Sequence, residues 1–253
     1  MDLKTSLTVL FTPADFEALS REDLSGTTCV VFDVLRATSS IVTALANGAE
    51  AVIPVADIPE ATKIFQVNPA VLLAGERDGL RITRRAGSSV EFHLGNSPRE
   101  FVPETVRGRT IVMTTTNGTR ALRAARGADE VLVSSFLNLT ETSRRILRST
   151  PRSLVIICSG TFEQTAYEDL LAAGALCEEI WGAYANGDMS DSVLIAKKAF
   201  GGARKNLLAA LGEARNGKRL LSRPELAADV EFCSRIDSVP FPTRLLRDRV
   251  VRC

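Results

Sequence analysis

Short apolar runs alternate with segments of helical periodicity along most of this chain. Runs rich in β-branched residues predict buried strands at residues 29–34, 51–55, 71–76, 110–115, 130–135 and 153–159. The segments between and after them predict helices at residues 39–47, 58–66, 119–126, 139–148 and 167–184. Unbroken apolar strands separated by helices are typical of a mostly parallel or mixed sheet that is covered on both faces. The pattern therefore predicts a three-layer α/β/α sandwich.

The last third of the chain continues with helical character. Residues 188–235 predict a helical portion that packs on the same core as the sheet. No Pro/Gly/Ser-rich linker, low-complexity tract or repeat divides the sequence. A chain of 253 residues can bury a substantial core by itself. We therefore expect a single α/β domain over residues 1–253.

The composition is that of a globular protein without a strongly charged surface. Apolar residues make up 45% and charged residues 24%, and the formal net charge is +1. Such a small net charge argues against a broadly basic nucleic-acid-binding surface. No stretch reaches the roughly 18 apolar residues of a membrane span, and the N-terminal residues lack the layout of a cleavable signal. We expect a cytoplasmic protein that binds neither nucleic acid nor membrane, with a homodimer left open.

The loops that follow the predicted strands carry most of the candidate chemistry. Ligands of open parallel sheets bind beyond the carboxyl ends of the strands. The loops in that position are DVLRATSS (33–40), GERDGL (75–80), TTTNGT (114–119) and CSGTFEQTAYED (158–169). Together they place hydroxyls, amides, carboxylates and arginines at one edge of the predicted sheet. Carboxylates bind Mg²⁺, which bridges to phosphate oxygens, so the combination indicates phosphoryl chemistry.

The TTTNGT loop connects a buried strand to a helix. Asn117 and Gly118 tolerate left-handed backbone angles, which can curl successive amides around an anion at a helix N-terminus. Thr115, Thr116 and Thr119 add hydroxyl donors. The alternative is an ordinary turn in which Thr116 or Asn117 caps the helix.

Four carboxylates are candidates for a metal site or for catalysis. Asp33 and Glu76 follow strands directly, while Glu168 and Asp169 begin a predicted helix. Arg36 can bind a phosphate through two N–H groups. Each also has a structural interpretation: an ion pair of Asp33 with Arg36, a solvated turn at Glu76, and acidic residues in the first turn of a helix.

Histidine and cysteine usage excludes several classes of phosphatase. His93 is the only histidine, which excludes histidine-rich two-metal hydrolases and argues against histidine phosphatases. The sixth residue after Cys158 is Gln164, whereas a tyrosine-phosphatase loop needs Arg there. Asp33 is followed by Val34 and Leu35, so an Asp-x-Asp pattern is absent. Five cysteines without a CxxC pair argue against a disulfide framework and against a zinc ribbon.

Ordered motifs along almost the whole chain resemble one known family. FDVLRATSSIVTALANGA, LLAGERDGL, LGNSPREF, TTTNGTRAL, ICSGT, EDLLAAGAL and the tail DVEFCSRIDSVPFP are similar to the 2-phosphosulfolactate phosphatase family. The resemblance implies Mg²⁺-dependent hydrolysis of 2-phosphosulfolactate, or of a related small 2-phospho acid, to sulfolactate and inorganic phosphate. In methanogens this step belongs to coenzyme M biosynthesis. Alternatives are a non-catalytic small-anion-binding protein and a phosphotransferase acting on another phosphorylated small acid.

Site roles follow from this resemblance together with the loop chemistry. We expect catalytic roles for Asp33, Arg36 and Asp169. The expected Mg²⁺ ligands are Asp33, Glu76, Glu168 and Asp169. The expected substrate-binding residues are Ser39, Arg77, Asn96, Ser97, Thr115, Thr116, Asn117, Gly118, Thr119 and Ser159. Attack by water, a phosphorylated Asp33 and a phosphorylated Cys158 stay open as alternatives.

Overall fold

Strands and helices alternate through the computed structural model, which describes residues 5–84 and 89–253. The strands are β1 (Ser6–Leu10), β2 (Thr27–Phe32), β3 (Ala51–Pro54), β4 (Leu72–Arg77), β5 (Leu80–Arg81), β6 (Thr110–Thr114), β7 (Glu130–Ser134), β8 (Ser153–Cys158), β9 (Asp188–Met189), β10 (Thr243–Leu246) and β11 (Arg249–Arg252). The helices are α1 (Pro13–Leu19), α2 (Ala37–Ala46), α3 (Ile58–Val67), α4 (Pro103–Val106), α5 (Gly118–Ala124), α6 (Leu139–Ser149), α7 (Tyr167–Glu179), α8 (Trp181–Tyr184), α9 (Asp191–Ala203), α10 (Leu207–Glu213), α11 (Arg215–Leu221) and α12 (Ala228–Cys233).

The strands pair into one mixed sheet. Its order in the described part of the chain is β5-β4-β6-β3-β11-β10-β7-β2-β8-β1-β9. Strands β4, β6 and β3 are mutually parallel and form the first half-sheet. Strands β7, β2, β8 and β1 are also parallel and form the second half-sheet. The hairpin β10–β11 lies between the half-sheets and pairs antiparallel with both, so the chain direction reverses from one half-sheet to the other.

This reversal changes how the strand-end loops come together. In a flat sheet, the carboxyl ends of the two half-sheets would lie at opposite edges. Neighbouring strands rotate by about 20–25°, which amounts to roughly 100–125° over the steps from β6 to β2 and turns these ends toward each other. Asn117 Nδ2, after β6, therefore reaches the Gly160 carbonyl, after β8, at 2.8 Å. The sequence predicts that these loops lie at one edge of one sheet. That prediction is wrong, because the loops meet between two half-sheets of opposite direction.

Both faces of the sheet are covered by apolar packing. In β2, Val30 and Phe32 face a cluster that includes residues of α7, whereas Cys29 and Val31 face a second cluster that includes residues of α2 and α5. Alternate residues of a strand point to opposite faces, so helices cover the sheet on both sides. The three-layer α/β/α prediction is confirmed.

The helical portion after β9 packs against the second half-sheet. It shares an apolar cluster with Val30 of β2 and Ile156 of β8. Its members of that cluster include Val193, Leu211, Leu220 and Val230. This packing places α11 and α12 beside the loops that carry the candidate chemistry. Within the residues described, no helix combines the length and the apolarity that a membrane crossing needs.

Most predicted elements occur within two residues of their expected ends. The predicted helix over residues 167–184 is instead interrupted at Ile180, between α7 and α8. Strand β1, helix α1 and the hairpin β10–β11 were not predicted. The hairpin strands TRLL and RVVR are short and carry arginines, so they lack the apolar signal of a central strand.

Candidate functional site

A pocket of about 90 Å³ lies where the loops after β2, β4, β6 and β8 meet α11. The sequence-predicted residues that line it are Asp33, Arg36, Glu76, Asn96, Thr115, Thr116 and Asn117. The predicted residues that do not line it are Ser39, Arg77, Ser97, Gly118, Thr119, Ser159, Glu168 and Asp169. Four strand-end loops therefore do converge, although about half of the predicted side chains support the pocket from behind.

Asp33 stands at the pocket wall, directly after β2. Its Oδ1 accepts a hydrogen bond from the Ala37 amide at 3.0 Å, and its side chain is partly exposed. Burial raises the pKa of Asp33 to about 6; the Ala37 amide opposes this shift and the negative charge of Glu76 adds to it. At Gly118, a Cβ would lie 2.6 Å from Asp33 Oδ2, so glycine allows α5 to begin against this carboxylate.

Glu76 is buried, and its carboxylate links two loops through hydrogen bonds. Its Oε1 accepts hydrogen bonds from the Thr116 amide at 2.9 Å and the Thr116 hydroxyl at 2.8 Å. Its Oε2 accepts a hydrogen bond from the Gly79 amide at 2.7 Å. Both carboxylate oxygens are therefore engaged, and they connect the turn after β4 to the loop after β6.

Asp169 has the same role on the second half-sheet. Its Oδ1 accepts a hydrogen bond from the Val34 amide at 2.8 Å, and its Oδ2 accepts one from the Gly160 amide at 3.2 Å. The side chain is buried, and burial followed by the charges of Glu168 and Asp33 raises the pKa of Asp169 well above its ordinary value. Asp169 therefore joins the loops after β2 and β8 rather than facing the pocket.

Glu168 carries an unsatisfied buried oxygen. Its Oε1 accepts a hydrogen bond from Asn216 Nδ2 at 2.6 Å. Its Oε2 is buried without a hydrogen-bond partner among the described residues. Burial raises the pKa of Glu168 to about 7, although the Asn216 hydrogen bond opposes this shift. This buried oxygen lacks a hydrogen-bond donor, and a bound cation or water would supply the missing partner.

Several amides of the TTTNGT loop have hydrogen-bond partners within the protein. The Thr116 amide donates to Glu76, and the Gly118 amide hydrogen-bonds to Asp33. The Thr119 amide donates to Thr115 Oγ1 at 3.3 Å. In this arrangement several of the loop's amides bind protein oxygens, and the expected anion cradle stays a prediction. The loop uses its donors to hold two carboxylates in place.

Arg36 forms its ion pair with an unexpected residue. Its Nη1 lies 2.7 Å from Asp229 Oδ2, and both side chains are buried. Its Nη2 donates to the Gly79 carbonyl at 2.8 Å. Asp229 Oδ1 also accepts hydrogen bonds from Ser97 Oγ and from Arg99 Nε, each at 2.7 Å. The partner of Arg36 is thus Asp229 of α12, not Asp33.

Other predicted substrate-binding residues make structural contacts. Ser39 Oγ donates to the Val34 carbonyl at 2.8 Å. Arg77 donates to the Glu76 carbonyl at 2.7 Å and to Thr114 Oγ1 at 3.1 Å. Ser159 is buried, and its hydroxyl has no hydrogen-bond partner in the part of the chain that is described. These side chains support the loops without reaching the pocket surface.

Residues from the helical portion complete the pocket, and sequence reasoning missed them. Asn216, Arg219 and Arg223 line it from α11 and the turn that follows. The sequence feature that could have revealed the arginines is the spacing of Arg215, Arg219 and Arg223, because residues four apart lie on one face of a helix. Asp229 was missed as well, although it lies within the tail motif DVEFC.

The surroundings of Cys158 and His93 suit structural roles rather than catalytic ones. Cys158 is fully buried, and burial followed by the charge of Asp169 raises the pKa of its thiol well above the ordinary value. The thiolate needed for nucleophilic attack is therefore disfavoured. His93 belongs to no strand, contrary to expectation. Its Nδ1 accepts a hydrogen bond from the Leu73 amide at 2.9 Å.

The acidic residues form an incomplete cation site. Over residues 5–84 and 89–253, no three His, Cys, Asp or Glu side chains are arranged to hold a metal ion. Asp33, Glu76 and Asp169 all accept backbone N–H groups, whereas Glu168 keeps one buried oxygen without a hydrogen-bond partner among the described residues. Mg²⁺ at phosphate sites commonly takes one or two carboxylates and completes its shell with water and substrate oxygens. Glu168 and Asp33, whose charges influence each other, are the candidates for that smaller set.

Fold and pocket together define the class of the molecule: an α/β protein with a pocket at its strand ends that is lined by carboxylates and arginines. The model of the family described as 2-phosphosulpholactate phosphatase matches residues 14–244. The chain belongs to this family, which makes it a phosphatase, a hydrolase of phosphoric monoesters.

Similar proteins span nearly the same length. A protein of Symbiobacterium thermophilum is 38% identical over 220 residues, which are 86% of this chain and 91% of that protein. One of Caldanaerobacter subterraneus is 35% identical over 241 residues, which are 94% and 95% of the two chains. One of Nostoc punctiforme is 35% identical over 225 residues, covering 87% and 88%. All three are named probable 2-phosphosulfolactate phosphatase.

Proposed function

We propose that this phosphatase hydrolyses 2-phosphosulfolactate, or a closely related small 2-phospho acid, to sulfolactate and inorganic phosphate with Mg²⁺. The names of the relatives support the substrate. The observation that carries the proposal is the position of Asp33, a partly exposed residue, in a pocket also lined by Arg36, Arg219 and Arg223. Such a pocket combines a proton acceptor with positive charge for a multiply charged anion.

Asp33 would act on the attacking water. In the metal-free protein its raised pKa of about 6 leaves it mainly ionised at neutral pH, and this environment favours a carboxylate that accepts a proton. The Ala37 amide holds one of its oxygens at 3.0 Å and so fixes the plane of the carboxylate. Water attack also agrees with the buried, protonated state of Cys158. We therefore assign Asp33 the role of orienting the water and taking its proton. As the water oxygen bonds to phosphorus, the ester P–O bond breaks, and the leaving alkoxide takes a proton from Asp33 or from solvent.

Positive charge at the pocket would stabilise the phosphate as charge develops on its oxygens. Arg36 is fixed by Asp229 and Gly79, so its guanidinium needs no reorganisation, although Asp229 offsets most of its charge. The side chains of Thr115, Thr116 and Asn117 line the pocket and can contact the substrate. When bound, Mg²⁺ would neutralise phosphate charge, held by Asp33 and Glu168.

Phosphate release from a defined panel tests this proposal. The purified protein is incubated with 2-phosphosulfolactate, 2-phospholactate and 3-phosphoglycerate, with Mg²⁺ or with a chelator. We expect release from 2-phosphosulfolactate to be fastest and to need Mg²⁺. Binding of the substrate without any release would instead support a non-catalytic anion-binding protein. Transfer of phosphate to an added acceptor would support a phosphotransferase.

A further inference from the structure

We propose that Arg219 and Arg223 form a subsite for an acid group of the substrate other than its phosphate. This inference rests on the proposed function and assigns part of the same pocket. The two residues are four positions apart, at the end of α11 and just beyond it. Both line the pocket together with Asp33. The expected ligand group is a carboxylate or a sulfonate.

The two guanidinium groups converge on the turn after β4. An added Cβ at Gly79 would lie 3.3 Å from Arg223 Nη1 and 3.7 Å from Arg219 Nη2. Arg223 Nη1 also donates to the Asp78 carbonyl at 3.0 Å. Arg36 reaches the same turn through the Gly79 carbonyl. Three arginines from two distant parts of the chain therefore surround one glycine at the pocket wall.

The charges of these arginines are balanced to different degrees. Arg36 is neutralised by the buried carboxylate of Asp229. Arg219 has a weak acidic neighbour, because Asp78 Oδ1 is 3.8 Å away and the Asp78 side chain is 86% exposed. Arg223 has no carboxylate partner among residues 5–84 and 89–253. Two adjacent cations without full compensation repel each other, and an anion between them removes that repulsion.

The position of α11 is set by tight packing. At Gly217, a Cβ would lie 1.8 Å from the Leu211 carbonyl oxygen, so the backbones of α10 and α11 are in direct contact. Leu220 is buried in the cluster that covers the second half-sheet. Arg219 therefore projects from an anchored helix, and Arg223 from the turn that directly follows it. Forked guanidinium groups match the paired oxygens of a carboxylate or sulfonate.

Substrates that differ in acid groups test the subsite. We compare 2-phosphosulfolactate, 2-phospholactate without the sulfonate, and propyl phosphate without either acid group. In Arg219→Ala and Arg223→Ala, kcat/KM for 2-phosphosulfolactate should fall by about 10–100-fold, mainly through KM. The value for propyl phosphate should change less than about threefold. The result for 2-phospholactate tells whether the sulfonate or the carboxylate occupies the subsite.

Arg215→Ala is the matched control. Arg215 lies one turn earlier on α11, is exposed, and donates to Gln164 Oε1 at 2.5 Å rather than lining the pocket. Its removal should leave all three substrates unchanged. Equal losses on all three substrates in Arg219→Ala or Arg223→Ala, or no loss on any, would overturn the subsite.

Binding of sulfolactate separates this inference from the proposed function. Calorimetric titration with sulfolactate requires no turnover. We expect measurable binding to the unaltered protein and to Arg215→Ala, with about 10-fold or greater weakening in Arg219→Ala. If the protein releases no phosphate yet shows this pattern, the proposed function fails and the subsite stands. If phosphate is released but sulfolactate binds all variants equally, only the subsite fails.

Discussion

At the scale of single residues, buried carboxylates hold together loops that are distant in sequence. Glu76 joins the loops after β4 and β6, and Asp169 joins those after β2 and β8. Each accepts backbone N–H groups that would otherwise be buried without a partner. Asp33 differs because it lines the pocket and is partly exposed, whereas Glu76 and Asp169 are buried. We therefore propose it as the carboxylate that acts on the substrate.

Replacing Asp33 by Asn tests that distinction. Asn cannot accept a proton from water, so kcat should fall by about 10²–10⁴-fold. Steady-state phosphate release measures the effect, and circular dichroism checks that the fold is retained. Asp248→Asn, at an exposed position between β10 and β11, is the control and should keep full activity. Activity of Asp33→Asn within threefold of the unaltered protein would remove Asp33 from the mechanism.

The buried pair of Arg36 and Asp229 contributes to stability through mutual compensation. Asp229→Ala would leave Arg36 as an unpaired buried cation and deprive Ser97 and Arg99 of their acceptor. The free energy of unfolding should fall by about 3–5 kcal/mol. Denaturant titration measures it. For the same reason, loss of activity in Arg36→Ala would not be separable from loss of folding.

A neighbouring residue on α12 provides the control. Glu231 pairs with Arg235 at 3.8 Å, and both side chains are more than half exposed. Glu231→Ala should change stability by less than about 1 kcal/mol, since exposed ion pairs contribute little. Equal destabilisation by Asp229→Ala and Glu231→Ala would show that burial of the Asp229 pair is not decisive.

At the scale of elements, the close approach of α5 to the loop after β2 depends on Gly118, because glycine has no side chain. In Gly118→Ala, the new Cβ would lie 2.6 Å from Asp33 Oδ2 and 2.7 Å from Ala37 Cβ. We expect a loss of about 1–3 kcal/mol in stability, together with reduced phosphate release, because Asp33 or α5 must shift. Thermal unfolding and the phosphate assay measure the two effects.

Gly201→Ala is the comparison for this change. Gly201 lies within α9, and nothing stands within 4 Å of its added Cβ. Alanine is favoured over glycine in a helix by about 0.5–1 kcal/mol, so this variant should be as stable as the unaltered protein or slightly more. If Gly118→Ala behaved like Gly201→Ala, the contact between α5 and Asp33 would not be tight.

At the scale of the whole molecule, the cluster of acidic residues links stability to pH. Burial raises the pKa of Glu168 from 4.5 to about 7 and that of Asp33 from 3.8 to about 6. The folded state therefore binds protons more tightly than the unfolded chain. The resulting stabilisation is complete below about pH 4 and is lost as pH rises through 7. The metal-free protein should be less stable at pH 8 than at pH 5.5.

Thermal unfolding in the presence of a chelator measures this dependence. The melting temperature should decrease between pH 5.5 and pH 8 at constant ionic strength. Glu168→Gln removes one of the titrating groups and should flatten the curve. A melting temperature that rises over this range in both proteins would contradict the arrangement of buried carboxylates.

Local patterns were sufficient to predict six strands, the helices between them and the loops that carry chemistry. Periodicity reports which face of a segment is buried, and this signal needs only neighbouring residues. The same local information singled out Asp33, Glu76 and Thr115 to Asn117 as pocket residues. It could not predict the hairpin β10–β11, whose strands are short and pair only with distant segments.

By itself, the sequence determined the α/β/α architecture, the family and the strand-end position of the site, because periodicity and motifs are properties of contiguous residues. Tertiary structure alone decided that the two half-sheets run in opposite directions, that Arg36 pairs with Asp229, and that α11 brings Arg219 and Arg223 to the pocket. It also decided that the TTTNGT amides hold carboxylates. Each outcome depends on which donors and acceptors from remote segments come within hydrogen-bond distance, and chain folding sets that distance.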